Sequence, residues 1–325
     1  MPSPNRLRLT PARDRAVTRV VAVLAACGTL VSLAACADEQ TSAPVTASST
    51  ATPTTSEAPP APLLPTGTTT LLPGHRIVAL YGHPSGPALG ALGEQPPSEA
   101  VGRVQQIAEY YQPFSDLPVV PAFEIIATVA AADPGADGNY VNETDPADLV
   151  ESVDAITAAG GIAILDIQPG RDSLLNLAQQ YTDLLLRPGV GLAIDPEWAL
   201  GPEDLPGDNV GHVDAEQINE VADWLAQLTR DNNLPQKLLV LHQFQLQMIR
   251  NRENLNLEHP ELATVIHVDG HGPREDKMLT WDTMRQELDP RIFVAWKNFY
   301  DEDQPMFTPE ETMAVAPQPV FVSYQ

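Results

Sequence analysis

Asp195 and Glu197 stand where an apolar run ends, in GVGLAIDPEWAL at 189–200, with Pro196 between them and Trp198 next. Two carboxyl groups this close can divide the work of acid and base, one staying protonated while the other is ionised. Polar side chains close other apolar runs in the same way. They are His83 in RIVALYGHP, Glu124 in VVPAFEIIA, Asp166 and Gln168 in GIAILDIQPG, and His242 and Gln243 in KLLVLHQF. Asp269 and His271 follow in LATVIHVDGHG, then Lys297 and Asn298 in RIFVAWKNFY. Tyr81, Trp198, Trp296, Phe299 and Tyr300 lie among them. Aromatic faces beside carboxylates suit sugars, whose C–H faces are apolar and whose hydroxyls need polar partners.

The chemistry that fits is hydrolysis of a glycosidic bond, which ordinarily uses two carboxyl groups. Glu197 is the expected general acid/base. Asp269 is the expected nucleophile or water-activating base, with Asp166 and Asp195 as alternatives. His83, Glu124, Trp198, His242, Gln243, Trp296, Lys297 and Asn298 are the expected substrate-binding residues. No cofactor and no metal is expected. Two rival readings remain open. Asp166, Glu197, His242, Asp269 and His271 are residue types that hold Zn2+ or Mn2+, as in a metal-dependent deacetylase or phosphoesterase, although none of their short spacings is a strong signature. The other rival is a barrel that binds glycan without chemistry. Each residue also has a structural reading: a salt bridge for Glu124, a turn cap for Asp166, core packing for Trp198 and Trp296.

The elements that would carry these residues recur. Eight short apolar segments, at 76–84, 119–127, 161–170, 190–198, 237–244, 262–272, 291–300 and 319–325, are near-continuous rather than alternating, which indicates strands covered on both faces. Helical stretches lie between them: SEAVGRVQQIAEYY, DPADLVESVDAITAAG, SLLNLAQQYTDLLL, DAEQINEVADWLAQL, LQMIRNRENL, LTWDTMRQEL with Thr280 near its start, and TPEETMAV. Asp145 precedes Pro146 as cap and first turn, and Gly160 follows the same helix. The pattern predicts a (β/α)8 TIM barrel over 75–325, lacking the final helix, with the polar strand ends gathered at its mouth. Side chains two apart on a strand share a face, so Asp195 and Glu197 are expected to point inward together. An open doubly wound sheet is the competing architecture, but no GxGxxG turn follows the first strand.

The first 74 residues differ. Five arginines precede VVAVLAACGTLVSLAAC, as in a secretion signal. The tetrapeptide LAAC occurs at 24–27 and 33–36, and the second leaves the fuller apolar core before it. Residues 1–35 are therefore expected to be a signal peptide and 36–74 a flexible Ser/Thr/Ala/Pro-rich spacer. The net charge is -25, and residues 1–35 hold five Arg and one Asp, so the remainder stands near -29. So acidic a chain excludes a nucleic-acid partner. A monomer is expected, with a carbohydrate substrate and contact with a membrane only through a lipid.

LAAC with its basic leader resembles the lipobox of bacterial lipoproteins, which implies lipidation of Cys36 and anchoring at the outer face of the cell membrane. LDIQPGR, DPEW, LVLHQF, VDGHG, AWKNFYDED and VSYQ resemble exported actinobacterial lipoproteins over residues 75–325. More distantly, the layout is similar to glycoside hydrolases on TIM barrels. That similarity implies an acid/base glutamate at the end of the fourth strand, where Glu197 stands. It also implies a second carboxylate on the seventh, where this chain has Lys297 and Asn298.

Overall fold

The computed structural model describes residues 60–325. The expected signal peptide, the expected lipobox with Cys36 and most of the expected spacer lie outside the described residues.

Eight strands form the barrel: β1 Arg76–Gly82, β2 Val119–Ala130, β3 Ile162–Ile167, β4 Val190–Ile194, β5 Lys237–His242, β6 Leu262–Val268, β7 Phe293–Asn298 and β8 Phe321–Tyr324. Each pairs parallel with the next in chain order, and β1 pairs with both β2 and β8, so the sheet has no open edge. Ile77 sets the closure, opposite Val120 on one side and Phe321 on the other. The fold is the expected (β/α)8 TIM barrel.

Alternation on each strand divides the core into two shells. Inside, small and β-branched residues such as Ala79, Ala122, Ile164, Ala193, Val240 and Ala263 fill the lower barrel. Outside, Val78, Phe123, Leu165, Leu192 and Leu241 pack under the helices. Gly191 on β4 shows how tight the inner packing is, since an added Cβ would lie 3.0 Å from the Leu238 backbone oxygen.

The outer helices are α1 Pro97–Tyr111, α2 Pro146–Ala158, α3 Leu174–Gln180, α4 Thr182–Leu185, α5 Ala215–Asp231, α6 Arg274–Met284 and α7 Pro309–Met313. Local chemistry starts several of them. Asp145 accepts from the Ala147 N–H, and Asp214 with Gln217 closes a capping box on α5. Among the described residues no helix is long and apolar enough to cross a membrane.

Four sequence expectations are corrected. The stretch 173–186 is two helices, broken at Tyr181, whose hydroxyl is drawn inward to donate to the Ala127 and Thr144 carbonyls at 2.8 and 3.0 Å. LQMIRNRENL is not an α-helix. It forms two 3-10 turns around Ile249–Arg250, which pairs with Val213–Asp214. Arg252 ties this segment down by donating to Gln243 Oε1 and to the Met284 and Gln286 carbonyls. Helix α6 begins at Arg274, so Thr280 lies within it and donates back to the Asp276 carbonyl. Finally, the spacer does not extend to 74. Leu64, Leu71 and Leu72 are buried against the inner shell at the N-terminal mouth. Gln236 Oε1 accepts from the Leu71 and Leu72 N–H groups at 2.9 and 3.0 Å. An apolar barrel floor needs a cover, and these leucines supply it.

Candidate active site

Above the apolar lower layers the inward positions turn polar. Tyr81 on β1, Glu124 on β2, Asp166 on β3, His242 on β5, His267 on β6, Lys297 on β7 and Ser323 on β8 are all buried. Asp195 and Asp269 stand one residue past β4 and β6 and are also buried. Register explains the convergence, because Tyr81 lies opposite Glu124, His242 opposite His267 and Lys297 opposite Ser323.

Glu197 reaches the mouth by a different route from the one expected. Strand β4 ends at Ile194, and Pro196–Trp198 form a 3-10 turn capped by Asp195. The turn, not strand alternation, brings Glu197 beside Asp195. The following loop fixes the turn, with the Gly211 N–H donating to the Glu197 carbonyl at 2.7 Å. A side chain at Gly211 would collide with the Ala199 and Pro196 carbonyls.

A cavity of about 350 Å3 opens over these groups, lined by Tyr81, Asp195, Glu197, Trp198, Asp269 and Lys297, among others. Glu197 and Trp198 also line an adjoining recess of about 270 Å3, whose far wall is Pro206–Val210. A larger recess of about 1110 Å3 around Arg250, Arg252 and Glu287 lies away from the mouth and brings together none of the barrel acids.

A chain of polar contacts runs through the floor. His242 Nδ1 lies 2.9 Å from Asp269 Oδ2, and its Nε2 lies 3.0 Å from Glu124 Oε1 and 4.0 Å from Asp166 Oδ1. The Tyr81 hydroxyl donates to Asp166 Oδ2 at 2.9 Å. His267 Nε2 meets Ser323 Oγ at 3.0 Å, and its Nδ1 lies 3.5 Å from Glu124 Oε1. Lys297 Nζ sits 3.6 Å from the centre of the Tyr81 ring, a cation–π contact.

These neighbours set different proton affinities. Burial opposes charge on His242, but Glu124, Asp269 and Asp166 outweigh it and hold its pKa well above normal. Burial would raise Glu124, yet His267 and His242 pull it below the ordinary carboxylate range. His267 itself is pushed down by burial. Asp269 resists its own burial through the hydrogen bond and charge of His242 and is lowered. Asp195 is driven well up by burial, with Asp166, Glu197 and Asp269 adding to the push. Asp166 is raised, again first by burial. Burial, with help from Asp269, lifts Glu197 to about 7.

The expected catalytic residues Asp166, Asp195, Glu197 and Asp269 are therefore brought together, and Trp198 and Lys297 join them. Other expectations are corrected. Glu124 and His242 are fully buried beneath the cavity and do not line it, so neither can grip a substrate. Gln243 points away and braces the next loop through Arg252 and the Gln245 and Leu246 carbonyls. Trp296 and Asn298 also face the helix layer. Trp296 Nε1 donates to Asn298 Oδ1 at 2.8 Å, and its ring packs on Trp281 and Phe307. Their even-numbered positions on β7 are opposite in phase to Lys297. His83 meets Ser85 Oγ at 2.7 Å and Thr144 Oγ1 at 2.9 Å on the rim. His271 stacks edge-on against Phe299 rather than joining the buried acids.

His267 and Ser323 escaped the sequence reading. His267 sits two residues before Asp269, and counting back in that phase would have found it. Its apolar neighbours Ile266 and Val268 hid it.

No family model matches the chain. No curated protein matches it either. Among solved structures it is similar to the crystal structure of Plasmodium falciparum HPPK-DHPS wild type with pterin and p-hydroxybenzoate, at 11% identity and a TM-score of 0.36, over 77% of this chain and 45% of that one. The chain thus spans less than half the length of that protein.

Proposed function

We propose that this barrel hydrolyses a glycosidic bond in a polysaccharide or cell-envelope glycan. One observation carries the reading. Glu197, a carboxyl lifted to about 7, forms the wall shared by two adjoining hollows, each lined also by Trp198. A sugar in each hollow would place the linking oxygen over Glu197. Protonated Glu197 gives its proton to that oxygen as the bond to the anomeric carbon breaks. Asp269 lines the deeper cavity and is oriented by His242. It either attacks the anomeric carbon or takes a proton from the water that does. The separation of the two carboxyl groups over bound sugar decides between retention and inversion. Lys297 and Tyr81 supply polar contacts for hydroxyl groups, and Trp198 supplies an apolar face.

The test is turnover by the folded full chain on a panel of chromogenic glycosides and cell-envelope glycans. Release of sugar by the natural chain and its loss in Glu197→Gln support the proposal. Glycan binding without turnover across the panel would replace it with a binding barrel.

The leader supports an anchored location for this activity. Cys36 becomes the lipidated first residue of the mature chain, and the spacer holds the barrel off the membrane. Cys36→Ala should release the protein from membranes or stall its processing. An unmodified Cys36 in intact-mass analysis of the membrane fraction would overturn the anchoring.

A further inference from the structure

The floor beneath the cavity contains more polar chemistry than a hydrolytic acid pair uses. Glu124, Asp166, His242 and His267 come from four strands, β2, β3, β5 and β6, and all are fully buried. Three of their side-chain atoms, Glu124 Oε2, Asp166 Oδ1 and His267 Nδ1, have no hydrogen-bond partner among the described residues. A proton on His242 Nε2 satisfies Glu124 Oε1, but it leaves those three atoms unmatched in a dry interior, where unmatched polar groups are rare.

We infer that this floor binds one zinc-class divalent cation through Glu124 Oε1, His242 Nε2 and His267 Nδ1, with Asp166 Oδ1 as the fourth donor.

The spacing supports this. Glu124 Oε1 lies 3.0 Å from His242 Nε2 and 3.5 Å from His267 Nδ1, and all three atoms fall within 4.8 Å of one another. Donors about 2.0–2.1 Å from a tetrahedral zinc are about 3.3 Å apart. Asp166 Oδ1, at 4.0 Å from His242 Nε2, stands outside that close trio and has to move inward by about 0.7 Å or more to complete the tetrahedron. The donor set is nitrogen and carboxylate oxygen, which suits zinc rather than magnesium or calcium. Two carboxylates and two neutral imidazoles carry two negative charges, which a divalent ion balances. The ion takes the place of the proton on His242 Nε2.

The outer shell supports it independently. A ligating histidine ordinarily commits its other nitrogen to a fixed partner. His242 Nδ1 has Asp269 Oδ2 at 2.9 Å, and His267 Nε2 has Ser323 Oγ at 3.0 Å. The second oxygen of Asp166 accepts from the Tyr81 hydroxyl. Asp195, His242 and Asp269 form another close trio. There the short contact is the His242–Asp269 hydrogen bond, which places Asp269 outside the coordination sphere. The ion would sit one layer below the cavity and act through His242 as a brace for Asp269. That role does not depend on the substrate being a sugar.

The experiment uses the full chain purified through a tag without histidines. It is incubated with ZnCl2, passed through gel filtration, and analysed for metal by mass spectrometry. Co2+ is offered in parallel. About one zinc per folded chain, a melting temperature that rises with Zn2+ and falls with chelator, and the visible absorption of tetrahedral Co2+ are expected. His267→Ala and Glu124→Gln should each abolish retention. Ser323→Ala keeps every ligand and should weaken zinc binding about 10- to 100-fold, which keeps the test valid if the ligand variants fail to fold. A folded natural chain that retains neither ion overturns the inference. So does retention unchanged in Ser323→Ala together with His267→Ala, which would put the ion elsewhere. Metal content is read without substrate, so a negative glycoside panel leaves this result standing.

Discussion

The backbone N–H of Glu197 donates to Oδ1 of Asp195 at 3.3 Å, so one acid of the DPEW turn holds the other in place. Asp195 caps the turn, and Gly211 closes on it from the far side. Replacing Glu197 with Gln keeps the size and the backbone contacts and removes the titratable proton. Turnover on an unactivated glycoside should fall about 100-fold or more, the usual worth of general acid catalysis. A glycoside whose leaving group needs no protonation should suffer less. The proposed mechanism requires a protonated Glu197, so activity should decline as pH rises through about 7, and that alkaline limb should vanish in Glu197→Gln. Near-normal turnover in the folded variant would remove Glu197 from the chemistry.

The same carboxyl links stability to pH. Its folded-state pKa, about 7, lies above its ordinary value of 4.5, so the folded state binds this proton more tightly than the unfolded chain. The contribution is fully present below about 4.5 and is lost as pH rises toward 7. Melting curves of the natural chain and Glu197→Gln should therefore converge at one end of this window and separate across it. The natural chain should lose stability relative to the variant as pH rises. Parallel curves from pH 4 to 8 would contradict the burial argument.

Lys277 sets the exits of β6 and β7. Its Nζ donates to the Gly270 and Lys297 carbonyls at 2.8 and 2.7 Å and pairs with Asp303 at 2.9 Å, with both side chains buried. Lys277→Met should cost about 3–5 kcal/mol, because it strands a buried carboxylate. Denaturant titration reads the loss. A change below about 1 kcal/mol would mean that water reaches Asp303.

Asn298 lies on the helix-facing side of β7, away from the cavity. Asn298→Ala removes the acceptor for Trp296 Nε1 and should destabilise by about 1–3 kcal/mol. KM for any substrate should stay unchanged, since the side chain does not reach the cavity. A raised KM with unaltered stability would reverse that placement.

The leucines below the barrel lead to a truncation test. A chain starting at residue 75 loses Leu64, Leu71 and Leu72 and the partners of Gln236. It should melt well below a chain starting at 60, by several kcal/mol in stability, since one buried leucine alone is worth about 2–5. Equal melting temperatures would show that the floor needs no cover.

Much of the architecture was legible in the residue order. Eight near-continuous apolar runs cannot be satisfied by a sheet with one wet face, and the caps at Asp145 and Asp214 announce their helices locally. Acids at the run ends mark the mouth, because a carboxylate next to buried valines and isoleucines needs partners from other strands. What the order of residues could not show was phase. Trp296, Lys297 and Asn298 are consecutive, and only the closed sheet decides that Lys297 points inward and its neighbours outward. Nor could it show depth. Glu124 and Asp195 look alike in sequence, yet one lies under the cavity floor and the other in its wall, since strand stagger around the barrel sets height. His267 became visible only when β6 lay beside β5 and put its ring 4.7 Å from that of His242. Glu197 reached the mouth through a turn that Gly211 permits from 14 residues along the chain. Composition and periodicity report what each residue needs, while partners brought together from distant strands determine which of those needs are met, and where.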